Sequence, residues 1–413
     1  MKILFVTPQR PEPPKKGTTL RNYALIRRAA RRHQVRVLTV ESAPPEPAGE
    51  FEPLGVPIDA VPAPGRPAGR RLADLATGRL PDLAVRLRSP EAHDRFVDLL
   101  RTFEPDVVQF EAVEAAGAVA PLGAAFRAAG VRPWIVYDAH NAEFALQETL
   151  WRGEALQPRR WPRALYSLIQ GRRLRHWEAG LCRAATSTIA VSEGDATLLE
   201  RLSGIQPVVI PNGVDTDYYR PTAGPILDPV SPLLLFIGTL DFRPNVDAAV
   251  WLVHEILPPL VREIPGARIA IAGRDPAPAV RALAGPNVDV IGPVDDERPL
   301  LAQASVCVVP LRSGGGMRFK VVQAMAAGLP VVSTTFGADG VAARHGEHLV
   351  LADTPEAFVA AIRRTIGDPA ATRRRIERAR TLAVQRYDWR AILPALDDLY
   401  DRLDVRSPAG AAR

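Results

Sequence analysis

Lysine is scarce in this chain. Among 413 residues it occurs only as Lys2, Lys15, Lys16 and Lys320, although the formal net charge is +6. Arginine carries the basic excess, a pattern that fits coding bias and leaves Lys320 conspicuous. Cysteine is scarcer still. Cys182 and Cys307 are the only two, and both lie in apolar surroundings. They read as reduced core residues, which excludes a disulfide framework and a thiolate zinc site. Aromatic residues make up 6% of the chain. With no helix-turn-helix, zinc-finger or RNA-recognition signature, a sequence pI of about 9.6 does not point to nucleic acid. Anionic small molecules or an anionic membrane surface fit the charge instead. No apolar run reaches the ~18 residues of a membrane span. The start, MKILFVTPQRPEPP, has an apolar run only from Ile3 to Val6. That is too short for a signal-peptide core and reads as a buried first strand, so the expected location is the cytoplasm. No His/Cys cluster suited to a metal stands out, so neither metal nor cofactor is expected.

What is there is an alternation of short apolar runs with longer helical patterns. The spacing predicts strands at Ile3–Thr7, Arg36–Val40, Val107–Phe110, Trp134–Tyr137, Ser187–Val191 and Val208–Ile210. A second series follows at Leu233–Ile237, Arg268–Ala272, Val288–Ile291, Val306–Pro310, Pro330–Ser333 and His348–Val350. Helical patterns lie between, among them Thr19–Arg32, Ser192–Leu202, Val246–Glu263, Asp295–Gln303 and Pro355–Ile366. Strands apolar throughout are buried on both faces, which implies parallel sheets covered by helices. The pattern starts twice, and residues 211–232 between the two series have a linker's proline, glycine and aspartate content. The expected fold class is α/β, with two doubly wound, Rossmann-like domains facing a cleft. Their bounds are 1–212 and 213–386, and an amphipathic helix at 387–404 packs back across the junction. Such sheets bind ligands beyond the carboxyl ends of their strands.

The stretch SGGGMRFKVVQAMAAGLPVV, residues 313–332, sits where a ligand would be met. Gly314, Gly315 and Gly316 precede a helix expected from Met317 to Ala327, which Gly328 and Pro330 stop. Val321, Val322, Met325 and Leu329 form its buried stripe, with Lys320 and Gln323 on another face. The first turn of a helix offers unpaired N–H groups, and glycines let an anion approach them. Arg318 and Lys320 add full charges suited to a pyrophosphate, and Gln323 could hydrogen-bond ribose hydroxyls. The same residues would also make a flexible loop with two solvated cations, and spacing alone leaves both readings open.

The segment resembles the donor-nucleotide motif of the family-four, retaining glycosyltransferases of GT-B fold. That motif carries two glutamates separated by seven residues and continues as Glu-Ala-Met-Ala-x-Gly-x-Pro-Val-Val. Here QAMAAGLPVV matches closely, while the two glutamate positions hold Gly315 and Gln323. One branch of the family reads Gly-Gly-Gly-Thr-Arg-x-Lys, which Gly315, Arg318 and Lys320 fit and Met317 does not. The second glutamate holds the donor ribose in the family. Glutamine keeps an acceptor oxygen but loses charge assistance.

The resemblance runs along almost the whole chain. PPKKGTTLRNYALIRRAARRH is similar to the family's first loop and helix, with Gly17 and Thr18 at a second phosphate-friendly helix start and Thr18 and Thr19 as N-cap candidates. An ordinary capped helix accounts for these residues equally well. In YDAHNAEF, residues 137–144, His140 takes the place of a histidine near the transferred sugar, with Asp138, Asn141 and Glu143 beside it. A loop histidine held by Asp138 is the plainer reading. AVSEGD, residues 190–195, is explained by Ser192 as an N-cap, and IPNGVD, residues 210–215, matches the interdomain signature. In FIGTLDFRPNVDAA, Arg243 is the candidate for a basic residue that reaches the donor phosphates.

The resemblance implies a metal-independent enzyme that moves a sugar from a nucleotide-sugar donor to an acceptor with retention of configuration. A saccharide or lipid-linked envelope molecule is the implied acceptor. Arg152–Arg183 holds eight arginines and two glutamates, interleaved with Trp161 and Trp177 and preceded by Trp151. Tryptophan beside arginine suits a membrane headgroup layer, so residues 151–183 are a candidate surface for an anionic membrane. A solvated helix face in an arginine-biased protein is the plainer reading, and Glu178 pairing with a neighbouring arginine belongs to it. Two other readings of the chain survive at this level. One is a nucleotide-sugar epimerase of the same fold. The other is a degenerate subunit that binds a partner or lipid without turnover, since both motif glutamates are absent.

Overall fold

A computed structural model describes residues 1–14, 17–41, 49, 51–155, 158–221, 226–314 and 317–405. The chain folds as two compact units. One is Met1–Asn212 together with the segment from Leu393 onward, and the other is Gly213–Ile392.

The first unit is built on a seven-stranded sheet in the order β3-β2-β1-β4-β5-β6-β7. Its strands are β1 (Lys2–Thr7), β2 (Gln34–Glu41), β3 (Ile58–Pro62), β4 (Val107–Glu111), β5 (Trp134–Ala139), β6 (Ser187–Ala190) and β7 (Val208–Val209). All neighbours pair in parallel. Ile3, Leu4, Phe5 and Val6 have no solvent exposure, as a central parallel strand requires. Each such side chain contributes about 1.5–3 kcal/mol of burial free energy. The helices that bear on function are α1 (Gly17–Ala29), α2 (Glu143–Ala155), α3 (Trp161–Ala184) and α4 (Glu193–Ser203). Ser192 caps α4, its hydroxyl accepting from Asp195 N at 3.0 Å.

The second unit carries a six-stranded sheet in the order β10-β9-β8-β11-β12-β13. Its strands are β8 (Leu233–Ile237), β9 (Arg268–Ala272), β10 (Val288–Gly292), β11 (Val306–Val309), β12 (Val331–Ser333) and β13 (Val350–Leu351), again all parallel. Helices α5 (Arg243–Trp251), α6 (Phe319–Ala326) and α7 (Pro369–Tyr387) belong to this unit, and α8 (Pro394–Val405) returns to the first. Cys182 and Cys307 are buried free thiols.

Strand order reverses between β1 and β4 in one sheet and between β8 and β11 in the other. Loops from two such strands turn away to opposite sides, which opens a ligand crevice at their carboxyl ends.

Three expectations shift. β3 lies between Pro57 and Pro62 and pairs only with β2, so proline masks it in the sequence while its edge position tolerates it. The single helix expected over Val246–Glu263 is α5, then a π-helical turn at Leu252–Ile256, then a helix at Leu257–Glu263. Pro258 and Pro259, which lack N–H donors, follow that turn. The boundary of the second unit falls at Ile392 rather than at residue 386. Val214 N donates to Tyr387 O at 2.7 Å, and a Cβ on Gly213 would meet the Trp389 ring at 2.4 Å. Residues 213–216 and 387–389 are thus built together, and the first part of the expected linker is ordered structure.

Candidate functional site

In the second unit, the loop after β8 and the loop after β11 converge at the switch point. Lys320 Nζ donates to Asn245 Oδ1 at 2.9 Å, and Asn245 Nδ2 donates to Thr239 O at 2.9 Å, which fixes the amide. The ammonium lies 4.4 Å from the Phe236 ring centroid. Gly238 leaves the space for this, because a Cβ there would lie 2.8 Å from Asn245 Nδ2 and 2.9 Å from Lys320 Nζ. Burial pushes the Lys320 ammonium down to about 7, and the nearby Arg318 cation acts in the same direction. Among the described residues no carboxylate pairs with it. A partly buried cation without a counter-ion carries a desolvation penalty that one amide and one ring face offset only in part.

Gly314 has φ +131°, a conformation open to glycine. A Cβ on it would stand 3.4 Å from Arg318 Nη1 and 3.6 Å from Pro244 Cβ. Gly314, Arg318 and the start of α5, where Arg243 is the first residue, therefore adjoin one another. Gly315 and Gly316 lie outside the described residues. Arg318 is not solvated. It is 7% exposed, with its guanidinium 4.9 Å from the Phe336 ring centroid. Its non-helical backbone delays α6 to Phe319 rather than Met317. The helix is buried on every side that bears Val321 to Ala326, so Gln323 does not sit on a polar face. Its amide Nε2 donates to Tyr219 OH at 2.8 Å and to Glu297 Oε1 at 3.1 Å.

In the first unit, a second polar cluster occupies the carboxyl ends of β4 and β5. Arg21, 1% exposed on α1, forks onto Asp138, with Nε and Nη2 each 2.8 Å from a carboxylate oxygen. Its Nη1 also donates to Ile210 O at 2.9 Å. His140 Nε2 lies 3.0 Å from Glu111 Oε2 and 3.9 Å from Asp138 Oδ2. The histidine is thus held by Glu111 rather than by Asp138. Burial opposes a charged ring, but the Glu111 hydrogen bond and the Asp138 and Glu111 charges together outweigh it and raise the His140 pKa. Glu111, Asp138 and His140 are close enough together to suit a metal ion. Arg21 already takes both Asp138 oxygens, however, so the trio reads as an ion-paired network.

Other sequence-based expectations divide. Gly17 is the first residue of α1, and a Cβ placed on it would meet nothing within 4 Å, while Thr18 and Thr19 lie inside the helix instead of capping it. Lys15 and Lys16 lie outside the described residues. Glu178 pairs with no arginine among the described residues. Buried on α3, it accepts from Glu143 N at 3.1 Å and Phe144 N at 2.8 Å, closing the start of α2. Trp177 packs against the core, whereas Trp161 and Leu165 on the same helix are 60% and 57% exposed. A cavity of about 320 Å³ is lined by Leu75, Leu80, Val85 and Tyr166, with Arg66 and Arg173 in its wall. Among the described residues no helix is long and apolar enough to cross a membrane.

Two family models match consecutive parts of the chain: Glycosyltransferase Family 4 over residues 16–218 and Glycosyl transferases group 1 over residues 231–368. The chain belongs to these glycosyltransferases. The phosphatidyl-myo-inositol mannosyltransferase of Mycobacterium tuberculosis is 32% identical over 226 residues, which is 52% of this chain and 58% of that protein. The chain thus spans little more than half the length of the curated relatives it matches. The glycogen synthase of the same organism is 28% identical over 54% of this chain and 56% of its own. Among solved structures, sucrose-phosphate synthase from Thermosynechococcus elongatus superposes with TM-score 0.73 at 19% identity, covering 98% of this glycosyltransferase and all of that chain. Anabaena HepE, solved with UDP and glucose, superposes with TM-score 0.67 at 16% identity over 97% of this chain and 100% of its own. Both likenesses establish the GT-B fold.

Sequence reasoning missed Arg21, Glu111 and Glu297. Arg21 is one of many arginines, Glu111 reads as the polar end of a strand, and Glu297 lies in an unremarkable acidic turn.

Proposed function

We propose that this glycosyltransferase moves a sugar from a nucleoside-diphosphate donor to a hydroxyl acceptor with retention of configuration. The observation that carries the reading is the partly buried Lys320 ammonium at the β8/β11 switch point, held by Asn245 and lacking a carboxylate among the described residues. The diphosphate lies against Gly314, Gly315 and Gly316 at the start of α6, with Arg318, Lys320 and Arg243 as its cations. As the bond from the sugar carbon to phosphate breaks, negative charge grows on the leaving oxygen, and these preorganised cations stabilise it. No metal is needed for that task, so transfer persists in a chelator. Gln323 serves the ribose through its amide oxygen, because its Nε2 is already engaged.

The acceptor side is the first unit, at Gly17, Thr18 and His140. The acceptor hydroxyl attacks on the face the phosphate leaves, and its proton passes to the leaving phosphate oxygen. His140 touches the reacting sugar in this reading. Exposed Trp161 and Leu165 among the arginines of residues 151–183 support an anionic membrane surface as the place of work, with a saccharide or lipid-linked acceptor. The chain would then act at the inner face of the cell membrane.

The test is a donor screen with UDP-, GDP- and dTDP-sugars in the presence of a membrane lipid extract. Transfer of label to an extractable product, with the donor's anomeric configuration kept by NMR, supports the proposal. An interconverted nucleotide sugar without acceptor would mark an epimerase, and binding without turnover a scaffold.

A further inference from the structure

We propose that Glu111 is a positioning residue for His140, and that Gln109 and Tyr400 hold Glu111 in turn, so that α8, the last described helix, sets the histidine's orientation. The chain of contacts is continuous. Glu111 Oε2 faces His140 Nε2 at 3.0 Å, and with the Asn22 amide in its satisfied orientation it also accepts from Asn22 at 2.9 Å. Glu111 Oε1 accepts from Gln109 Nε2 at 2.8 Å, and Gln109 Oε1 accepts from Tyr400 OH at 2.7 Å. Asn22, Gln109, Glu111 and Tyr400 have no solvent exposure. Arg28 and Asp397 tie α8 to α1 at 3.0 Å, and Arg32, in the turn after α1, pairs with Asp401 at 2.9 Å.

A polar chain buried beneath a sheet end gives no stability that apolar residues of similar shape would not also give. Its distinctive product is an orientation. A carboxylate on Nε2 requires a proton there, so the neutral ring presents the Nδ1 lone pair and the charged ring presents Nδ1–H. His140 is the member of the chain that reaches the surface, with a tenth of its side chain exposed. Nδ1 has no partner among the described residues. The charged groups around the ring are Glu111 on β4, Asp138 on β5, Arg21 on α1 and Glu143 on α2. Glu111 makes the direct contact at 3.0 Å and Asp138 acts on the ring only through its charge, so Glu111 is the group that fixes where the ring's proton sits.

The kinetic part rests on the transferase reading, and the spectroscopic part does not. The test is a histidine-labelled NMR titration of the wild-type chain, Glu111→Gln and Tyr400→Phe, with His140 assigned by its loss in His140→Gln. The pH profile of turnover is measured beside it. His140 is expected to titrate above an ordinary imidazole in the wild type and lower in Glu111→Gln. In Tyr400→Phe, which removes one hydroxyl and keeps the fold, it shifts the same way by less. Turnover should fall about fivefold there, the cost of one hydrogen bond, with the donor KM unchanged. A His140 titration identical in all three proteins overturns the proposal. So does a shifted titration with an unshifted turnover profile. Should the wild type transfer no sugar from any donor, the transferase reading fails by itself, and the ring titration still decides whether Glu111 sets His140.

Discussion

Lys320 and Asn245 meet through one hydrogen bond of 2.9 Å, yet they stand in the first turns of two helices that follow different strands. Asn245 follows β8 and Lys320 follows β11, and these strands are neighbours in the sheet. The parallel topology therefore brings a fixed amide, and a cation with no carboxylate partner among the described residues, to the place where a crevice must open. An anion that enters there gains a charge-assisted partner in surroundings of low dielectric.

Donor binding should take up protons. The Lys320 ammonium is held down to about 7 in the free protein, and a diphosphate beside it would return it toward an ordinary lysine. Between those two values the free protein has lost the proton and the complex regains it, so affinity falls as pH rises through that window. At pH 8.5, calorimetry with a nucleotide sugar in buffers of different ionisation enthalpy should show roughly one proton bound per ligand. A binding enthalpy independent of buffer would contradict this.

Arg21 and Asp138 form a buried, two-pronged ion pair. Arg21→Met leaves a carboxylate buried without its counterion and should cost about 3–5 kcal/mol in urea unfolding. Adding Asp138→Leu should restore more than half of the loss. A single variant as stable as the wild type would show that the pair is not buried.

Gly273 has φ +151°, and a Cβ on it would fall 1.6 Å from Gly238 O. Gly273→Ala must therefore push the start of the loop after β8 away from β9. A loss of roughly 2 kcal/mol or more in stability is expected, together with weaker nucleotide binding, because Gly238 makes the space for Lys320. Unfolding midpoints and titration of the same variant check both parts.

Much of the fold was legible because fully buried parallel strands announce themselves as apolar runs. β8 and β9 begin and end where the sequence places them. β3 was not legible, since it is the short stretch IDAVP, preceded by Pro57 and ending on Pro62, which an edge position permits. The break in the helix after Trp251 was hidden because the apolar period continues through it while the hydrogen bonding changes.

The cluster at the β8/β11 switch point was legible for a chemical reason. Glycines and a lone lysine at a strand-to-helix turn are unusual, and the structure brings Gly314, Arg318 and Lys320 to one end of the sheet. The His140 surroundings were only half legible. The polar run after β5 marks a polar cluster, but its partner Glu111 lies 29 residues earlier and its support Tyr400 lies 291 residues beyond Gln109. No local pattern reports pairings made by sheet order. Gln323 shows the opposite error, since helical spacing assigns a face but cannot show that Tyr219 and Glu297 already claim the amide.

Calorimetric titration of nucleotide sugars into the wild-type chain and Lys320→Ala tests the account most directly. The variant should fold, because it removes a cation whose burial is unfavourable. At least one UDP-, GDP- or dTDP-sugar should bind the wild type, and the same ligand should bind the variant more weakly by about tenfold or more, the loss of one charge-assisted hydrogen bond. Equal affinity in the two proteins, or no binding to either, would contradict a donor diphosphate at the head of α6.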